Sequence, residues 1–229
     1  MYSEYPLQER ISSFMYRVFA LMGIALLVTA FTSYYVSKMP QIYTFFAKNP
    51  STLFALLISQ LILVMVLGLF IKKLPTYLAL IFFFVYALSV GFSLSTVFLV
   101  YTQASIYSTF FVTATMFSAM ALYGMFTRSD LTSIGSYGTM VLIGLVLGMF
   151  INWFLKNPMV DFILSGVGVV LFTLLTAYDV QKLKQIGNEF LSRTDDLMNK
   201  ASILGALTLY LDFINLFLFL LRFLGKRRD

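Results

Sequence analysis

The stretch Leu207–Gly225 reads LTLYLDFINLFLFLLRFLG, and it decides the class of fold. It is a run of large apolar residues, long enough to cross a bilayer as a helix. One carboxylate, Asp212, lies inside the run, and we predict that it sits near the bilayer midplane. An ionised carboxylate there costs roughly 3 kcal/mol on insertion scales, so such a group usually faces a protein interior or a water-filled cavity. We therefore expect Asp212 to have a partner elsewhere in the chain.

The composition is that of a polytopic membrane protein. Of the 229 residues, 60% are hydrophobic and 11% are charged, whereas a soluble domain carries about a quarter charged residues. The sequence contains no Cys and no His, which excludes disulfides, thiol redox sensing, a Ser-His-Asp triad, and zinc, copper or haem sites of the usual kind. Any pH response must come from carboxylates. The net charge of +6 sits in loops and tails, without a basic patch interleaved with aromatics, so we expect no nucleic-acid partner.

Seven apolar segments follow one another along the chain. We predict an all-α fold of seven transmembrane helices in one domain, residues 1–229, surrounded by membrane lipid. The predicted spans are Arg17–Val36, Thr52–Ile71, Tyr77–Phe98, Ala104–Phe126, Ser136–Phe154, Val160–Gln181 and Leu207–Gly225.

The segments between and beside the spans are polar. We predict an N-terminal tail at 1–14, loops that include 38–50, a polar loop at 182–200 and a basic tail at 226–229. Within 182–200, Ser192 or Thr194 could cap a short amphipathic helix. The fifth span carries Gly144 and Gly148 in GxxxG spacing, which lets helix backbones pack closely.

The distribution of Lys and Arg indicates the orientation. With the N-terminus inside, nine basic residues lie on the inner side and seven on the outer side if the last segment crosses fully. If that segment is re-entrant, the numbers become thirteen and three. The N-terminus inside is favoured, and we predict seven full spans in a multi-pass protein of a bacterial inner membrane, with a cytoplasmic N-terminus.

A second carboxylate, Asp179, stands near the end of the sixth span in the motif TAYDVQ. Alone it could be an interfacial residue at a helix end. Spans six and seven are consecutive and antiparallel, so Asp179 and Asp212 could meet. Two carboxylates a few ångströms apart in a poorly solvated site cannot both ionise easily, and they titrate as a unit. Such a pair would be a proton-sensitive switch and would offer hard oxygen ligands suited to Ca²⁺.

Other polar residues could act around this pair. Asn215 lies on the same helical face as Asp212 and could share the site, although a structural hydrogen bond is its expected role. Lys72 or Lys73, on the same predicted side as Asp179, could pair with it and close an ion path until protonation releases it. The remaining charged residues at span ends are expected to be interfacial: Arg17, Asp161 and Arg222.

The segments LYLDFINLFLFLLRFLG, TAYDVQ and RVFALMGIALLVTA together resemble the Bax inhibitor family, the transmembrane Bax inhibitor motif proteins. The resemblance in layout covers nearly the whole chain. It implies seven helices with the last one central, and a pH-sensitive Ca²⁺ leak governed by two aspartates, here Asp179 and Asp212. In bacterial calcium-leak members a basic residue at the end of the second span latches one aspartate, and Lys72–Lys73 is the best match.

The chain departs from that family pattern in three places. The latch is Lys rather than Arg, so a bidentate guanidinium–carboxylate pair is unavailable. Gln60 stands about where those members have an acidic residue, so a third carboxylate is missing and an amide takes its place beside the predicted path. The loop between Asp179 and Asp212 is longer than expected.

Three functions follow from these patterns. The first is a pH-sensitive cation leak, with calcium ions and protons as the species handled and no resident cofactor. The second is a regulatory membrane protein, since other bacterial relatives are linked to a membrane-bound protease and eukaryotic ones to suppression of cell death. The third is an intramembrane aspartyl protease, but those enzymes typically present GxGD near the second aspartate, and YLDFIN does not fit. We expect no enzymatic activity.

Overall fold

Nine helices make up nearly all of the part of the chain that a computed structural model describes, residues 7–189 and 195–228. In chain order they are α1 (Leu7–Ser37), α2 (Pro40–Lys48), α3 (Pro50–Phe70), α4 (Thr76–Leu94), α5 (Val97–Val100), α6 (Gln103–Phe126), α7 (Thr132–Leu155), α8 (Pro158–Glu189) and α9 (Asp195–Leu224). The prediction of an all-helical membrane protein is confirmed.

Six of these helices are long and apolar enough to cross a membrane among the described residues. The candidate spans are Ile11–Ser37, Thr76–Val100, Gln103–Phe126, Thr132–Leu155, Pro158–Asn188 and Asp195–Leu224. The segment predicted as the second span corresponds to a shorter apolar helix, Phe54–Phe70, within α3. The last span is the most buried of the six, with 67% of its apolar window inside the protein.

Local chemistry explains where several helices begin and end. Pro40, Pro50 and Pro158 open their helices, a position where the missing N–H is not needed. The Thr102 hydroxyl caps α6 by accepting the Ser105 N–H at 3.3 Å.

The polar loop predicted at 182–200 is wrong in its extent. Helix α8 continues to Glu189 and α9 already begins at Asp195. The continuation of α8 buries one face: Leu183 is buried, whereas the adjacent Lys182 is exposed and Lys184 is half-buried. The polar composition of this segment therefore predicts a loop, whereas the structure has a helix that packs one face against the protein. Ser192 and Thr194, the predicted caps, lie outside the described residues.

Two other segments predicted as irregular are also helical. The tail predicted at 1–14 joins α1 from Leu7 onward, and Phe14 is fully buried. The loop predicted at 38–50 contains α2, a short amphipathic helix that begins at Pro40.

The chain divides into two compact units. The first unit contains the described residues of 1–100 and 186–210, together with residue 228. In it the Thr29 hydroxyl donates to the Ala87 carbonyl at 2.9 Å and lies 2.6 Å from the Tyr210 hydroxyl. Edge-to-face contacts join the Tyr210 ring to Phe83 and Tyr86. The first half of α9 is thus anchored in a core built with α1 and α4.

Two hydrogen bonds of the first unit involve residues at the start of α9 and beyond its end. The Thr76 hydroxyl at the start of α4 donates to Asp196 at 2.6 Å. The Arg228 N–H donates to the Val100 carbonyl at 2.9 Å.

The second unit contains residues 101–185 and 211–227. In it the backbones of α6 and α8 approach closely, because a Cβ on Gly124 would collide with the Ala177 carbonyl. The GxxxG glycines behave differently: a Cβ on Gly148 would meet only the Leu164 side chain, and one on Gly144 would meet open space. Tight packing in this unit therefore depends on Gly124 rather than on Gly144.

We expect Gly124→Ala to destabilise the protein by about 1–3 kcal/mol, because the added methyl group meets backbone that must shift. Gly144→Ala is the matched control and should be neutral or stabilising by up to about 1 kcal/mol, because alanine favours a helix and finds free space. Thermal unfolding in detergent measures both. Equal midpoints for the two variants would contradict this account of the α6–α8 contact.

Candidate functional site

Asp212 lies near the middle of α9 and is almost completely buried, with 5% of its surface exposed. One carboxyl oxygen, Oδ2, has no hydrogen-bond donor among the described residues. A buried carboxylate oxygen without a donor is costly. The site therefore calls for a proton, a cation or water beside that oxygen.

Asp179 of α8 provides the neighbouring group. Its carboxyl lies within hydrogen-bonding distance of the Asp212 carboxyl. Two carboxylates offer acceptors only, so a hydrogen bond between them needs one proton on the pair. The structure thus brings together the two aspartates that the sequence singled out.

Aromatic packing sets the register that makes this meeting possible. The rings of Phe172 and Phe219 stack at a centroid distance of 5.7 Å, and both side chains are buried. Asp179 follows Phe172 by seven residues, and Asp212 precedes Phe219 by seven, which is about two helical turns in each case. In an antiparallel pair these equal steps carry both carboxyl groups to the same level and the same face.

Lys182 is a nearby cation whose role the sequence analysis missed. It lies three residues beyond Asp179, close enough for its charge to act on that carboxyl. Its Nζ lies 5.5 Å from the centre of the Tyr178 ring. The i, i+3 spacing of Asp179 and Lys182 in DVQK is the sequence signal that could have found it.

The end of α8 is fixed to the preceding loop by two polar side chains. Gln181 accepts the Leu131 N–H at 2.9 Å and donates to the Ser129 carbonyl at 2.8 Å. Lys184 donates to the Met125 carbonyl at 2.8 Å. These bonds use main-chain groups in the last turn of α6 and in the loop after it, where helical partners are missing. They hold the turn of α8 that carries Asp179. Nothing in the sequence pairs these residues, which lie fifty or more positions apart.

The predicted latch residues lie in the turn after α3. Lys72 and Lys73 are both exposed, and the Lys73 Nζ is 5.9 Å from the centre of the Phe70 ring. Their role as the latch remains a prediction.

The two amide residues predicted to lie near the aspartates make hydrogen bonds elsewhere. Asn215 donates to the Leu211 carbonyl in its own helix at 2.9 Å. Gln60 donates to the Ser89 carbonyl at 2.9 Å and to the Ser93 hydroxyl at 2.7 Å. The amide nitrogens of both residues are therefore already engaged, and a role beside the aspartates remains a prediction.

The charged residues at span ends pair locally. Arg17 donates to Asn199 at 2.7 Å. Arg222 and Asp161 form an ion pair at 3.6 Å, with each side chain about one-third exposed. The interfacial role of these three residues stays a prediction.

The loop between α6 and α7 contains a carboxylate whose pKa differs from its usual value. Asp130 accepts the Thr132 hydroxyl at 2.6 Å and the Thr132 N–H at 2.9 Å. These hydrogen bonds stabilise the ionised form and lower the pKa of Asp130. The stabilisation is present at neutral pH and is lost as the pH falls through the lowered pKa.

We expect the Asp130 carboxyl to titrate below the usual aspartate range, and Thr132→Val to raise its pKa because the hydroxyl donor is removed. A ¹³C NMR titration of the carboxyl carbon in detergent micelles measures both values. Ser133→Ala, one residue further along and also exposed, is the matched control and should leave the titration unchanged. An unshifted titration in the Thr132 variant would contradict the assignment.

Comparisons with known proteins identify the family of the chain. The family described as inhibitor of apoptosis-promoting Bax1 matches residues 11–229. The chain is 45% identical over 218 residues to inner membrane protein YbhL of Escherichia coli, covering 95% of this chain and 93% of the relative. It is 39% identical over 218 residues to an uncharacterized protein of Borreliella burgdorferi, covering 95% and 94%. It is 36% identical over 226 residues to the uncharacterized protein YrjE of Lactococcus lactis, covering 95% and 92%. The chain therefore belongs to the Bax inhibitor-1 family.

Proposed function

We propose that this protein is a pH-sensitive cation leak of the membrane, with Ca²⁺ as the ion and the Asp179–Asp212 pair as the sensor. The observation that carries the proposal is the contact between the two carboxyl groups, one of them buried near the middle of the most buried span. A carboxyl group at that depth is expensive and is usually functional. When the two carboxyl groups share one proton, the free-energy cost of burying both of them is lower.

The pair can respond to pH in a simple way. When one proton is shared, the two groups form a hydrogen bond and carry one negative charge; when that proton leaves, two negative charges repel each other. A cation beside Asp179 would then be held more strongly. Geometry supports Lys182 for this role and the family resemblance supports Lys72 or Lys73. In either case, protonation of the aspartate pair weakens the attraction between the lysine and Asp179, and this favours the open ion path.

The donor set suits a passing ion better than a resident one. Ca²⁺ takes six to eight oxygen ligands, whereas the described residues contain no cluster of three or more acidic, His or Cys side chains. Asp179 and Asp212 would supply carboxylate oxygens, and water would supply the others. Weak coordination of this kind lets an ion leave again. We assign no catalytic step to the aspartates.

We expect Ca²⁺ flux into liposomes that contain the purified protein to rise as the pH falls. In Asp212→Asn the flux should drop by at least about tenfold, which corresponds to ~1.4 kcal/mol in the barrier, because the amide cannot share a proton or ligate the ion as a carboxylate does. Asp161→Asn, which removes an exposed carboxylate of α8 paired with Arg222, is the matched control and should keep both flux and pH dependence.

Two outcomes of this assay would overturn the proposal. Equal flux in the wild type and Asp212→Asn would remove the aspartate pair from the path. No flux in wild type, together with co-purification of a membrane protease, would favour the regulatory role instead.

We further propose seven spans, with the protein in the inner membrane of a bacterium and the N-terminus inside. Helix α3 has 21 residues and so extends roughly 31 Å, the thickness of a bilayer core. The name of the Escherichia coli relative supports the compartment. The high burial of α9 supports a central position for the last helix.

Because the sequence contains no Cys, single-cysteine variants report topology directly. We expect Lys48→Cys, Lys156→Cys and Lys226→Cys to react with a membrane-impermeant maleimide added to intact cells. Lys72→Cys and Arg128→Cys should react only after permeabilisation. Labelling of Lys48→Cys and Lys72→Cys from the same side would show that α3 does not cross, and labelling of Lys226→Cys with Arg128→Cys would show a re-entrant α9.

A further inference from the structure

A groove of about 530 Å³ lies between α7 and α8 in the second unit. Its walls include exposed side chains, Tyr137 and Val141 on α7 and Val170 on α8. Its floor includes Leu171 and Leu175, which are buried. The lining is apolar apart from the tyrosine hydroxyl, so in a membrane protein this groove accepts hydrocarbon rather than water.

The groove follows α8 for more than two turns, and glycine keeps part of it open. Its lining on α8 extends from Gly166 to Leu175, so it follows that helix for roughly 14 Å. On α7, a Cβ at Gly138 would meet Leu175 Cδ2 at 2.7 Å and fill part of the floor. An extended acyl chain fits this shape better than a compact ligand does.

One end of the groove is cationic. Along α8, the stripe of residues that forms the floor continues through Tyr178 to Lys182. The Tyr178 ring packs directly on Gly135, one residue from the groove wall at Ile134. The Lys182 Nζ lies over that ring, and the lysine side chain is exposed.

The loop beside this end adds a second exposed cation. Gln181, the neighbour of Lys182, is hydrogen-bonded to the Ser129 carbonyl, and Arg128 precedes Ser129. Arg128 is exposed. Lys182 and Arg128, with the Asp130 carboxylate of the same loop, lie where α7 begins and α8 nears its end, beside the Thr132 end of a candidate span.

We propose that this groove binds an anionic phospholipid, with one acyl chain between α7 and α8 and the headgroup phosphate at Lys182. A phospholipid carries its charge at one end of its apolar chains, which matches an apolar groove with a cation at one end. A second copy of this chain or a partner helix would cover the apolar walls but would not explain a cation at one end only. The loop lies on the predicted inner side, where anionic lipids concentrate.

The single tryptophan of the chain allows a direct test. Trp153 is exposed on α7, sixteen positions beyond Tyr137, near the opposite end of that helix. The variant Trp153→Phe/Tyr137→Trp moves the reporter into the groove wall. The full-length protein is reconstituted in phosphatidylcholine vesicles with equal mole fractions of acyl-brominated phosphatidylglycerol or acyl-brominated phosphatidylcholine, and fluorescence quenching is compared.

We expect the groove reporter to bind phosphatidylglycerol about fivefold more strongly than phosphatidylcholine, the factor that one lysine near an anionic headgroup supplies. Lys182→Gln in the reporter background should bring the ratio close to one, whereas Lys156→Gln, at the other end of α7, should leave it unchanged. The native Trp153 should show no preference. These lipid ratios are measured without ion flux. A failure of the lipid site can therefore be distinguished from a failure of the proposed leak.

The acyl chain itself is tested by narrowing the groove. Val141→Phe should reduce quenching by both brominated lipids, because the larger ring occupies the groove. Val146→Phe, an exposed valine of the same helix outside the groove, is the matched control. A phosphatidylglycerol preference that survives Lys182→Gln would overturn the headgroup assignment. Equal quenching by the two lipids, or none by either, would overturn the site, because the groove would then hold bulk lipid or a protein segment.

Discussion

The packing of α8 against α9 is the contact on which the site depends. A carboxyl group in the middle of an apolar helix must meet a partner inside the protein, and the register of these two helices decides whether it does. The Phe172–Phe219 stack fixes that register two turns away from Asp179 and Asp212. A slip of one residue would rotate Asp179 by about 100° around its helix and leave Asp212 without its neighbour. The aromatic pair is thus as necessary to the site as the acids.

The last turns of α8 contribute to three neighbouring parts of the second unit. Gln181 and Lys184 hold the loop between α6 and α7, Asp179 faces Asp212, and Lys182 lies at the open end of the α7–α8 groove. The close approach of the Ala177 carbonyl to Gly124 adds a fourth contact to this region. A movement of α8 at this end would therefore act on the proposed ion path and on the proposed lipid site together.

Much of this arrangement could be predicted from the chain itself. Long apolar runs fix the positions of the spans, and the rarity of midspan charge singles out Asp212. The consecutive antiparallel spans then suggest Asp179 as its partner. Other features could not be predicted in this way. The helical continuation around Leu183 depends on burial of one face in a polar segment, and the bond from Lys184 to Met125 depends on tertiary contact alone. The importance of Gly124 over Gly144 depends on which backbone lies opposite, which spacing does not encode.

The strand-like pairing after α9 bears on how the chain enters the membrane. Tyr101 and Arg227 form an antiparallel bridge, and the Arg228 guanidinium donates to the Phe98 carbonyl at 3.0 Å. In the proposed orientation, Lys226, Arg227 and Arg228 must be translocated to the outer surface against an inside-negative potential. That work amounts to about 2.3 kcal/mol per charge for each 100 mV. The carbonyl groups of Phe98 and Val100 accept hydrogen bonds from Arg228 and so help to retain this segment on the outer side. A helix followed by positive charges can therefore still end on the outer surface, although the potential opposes their translocation.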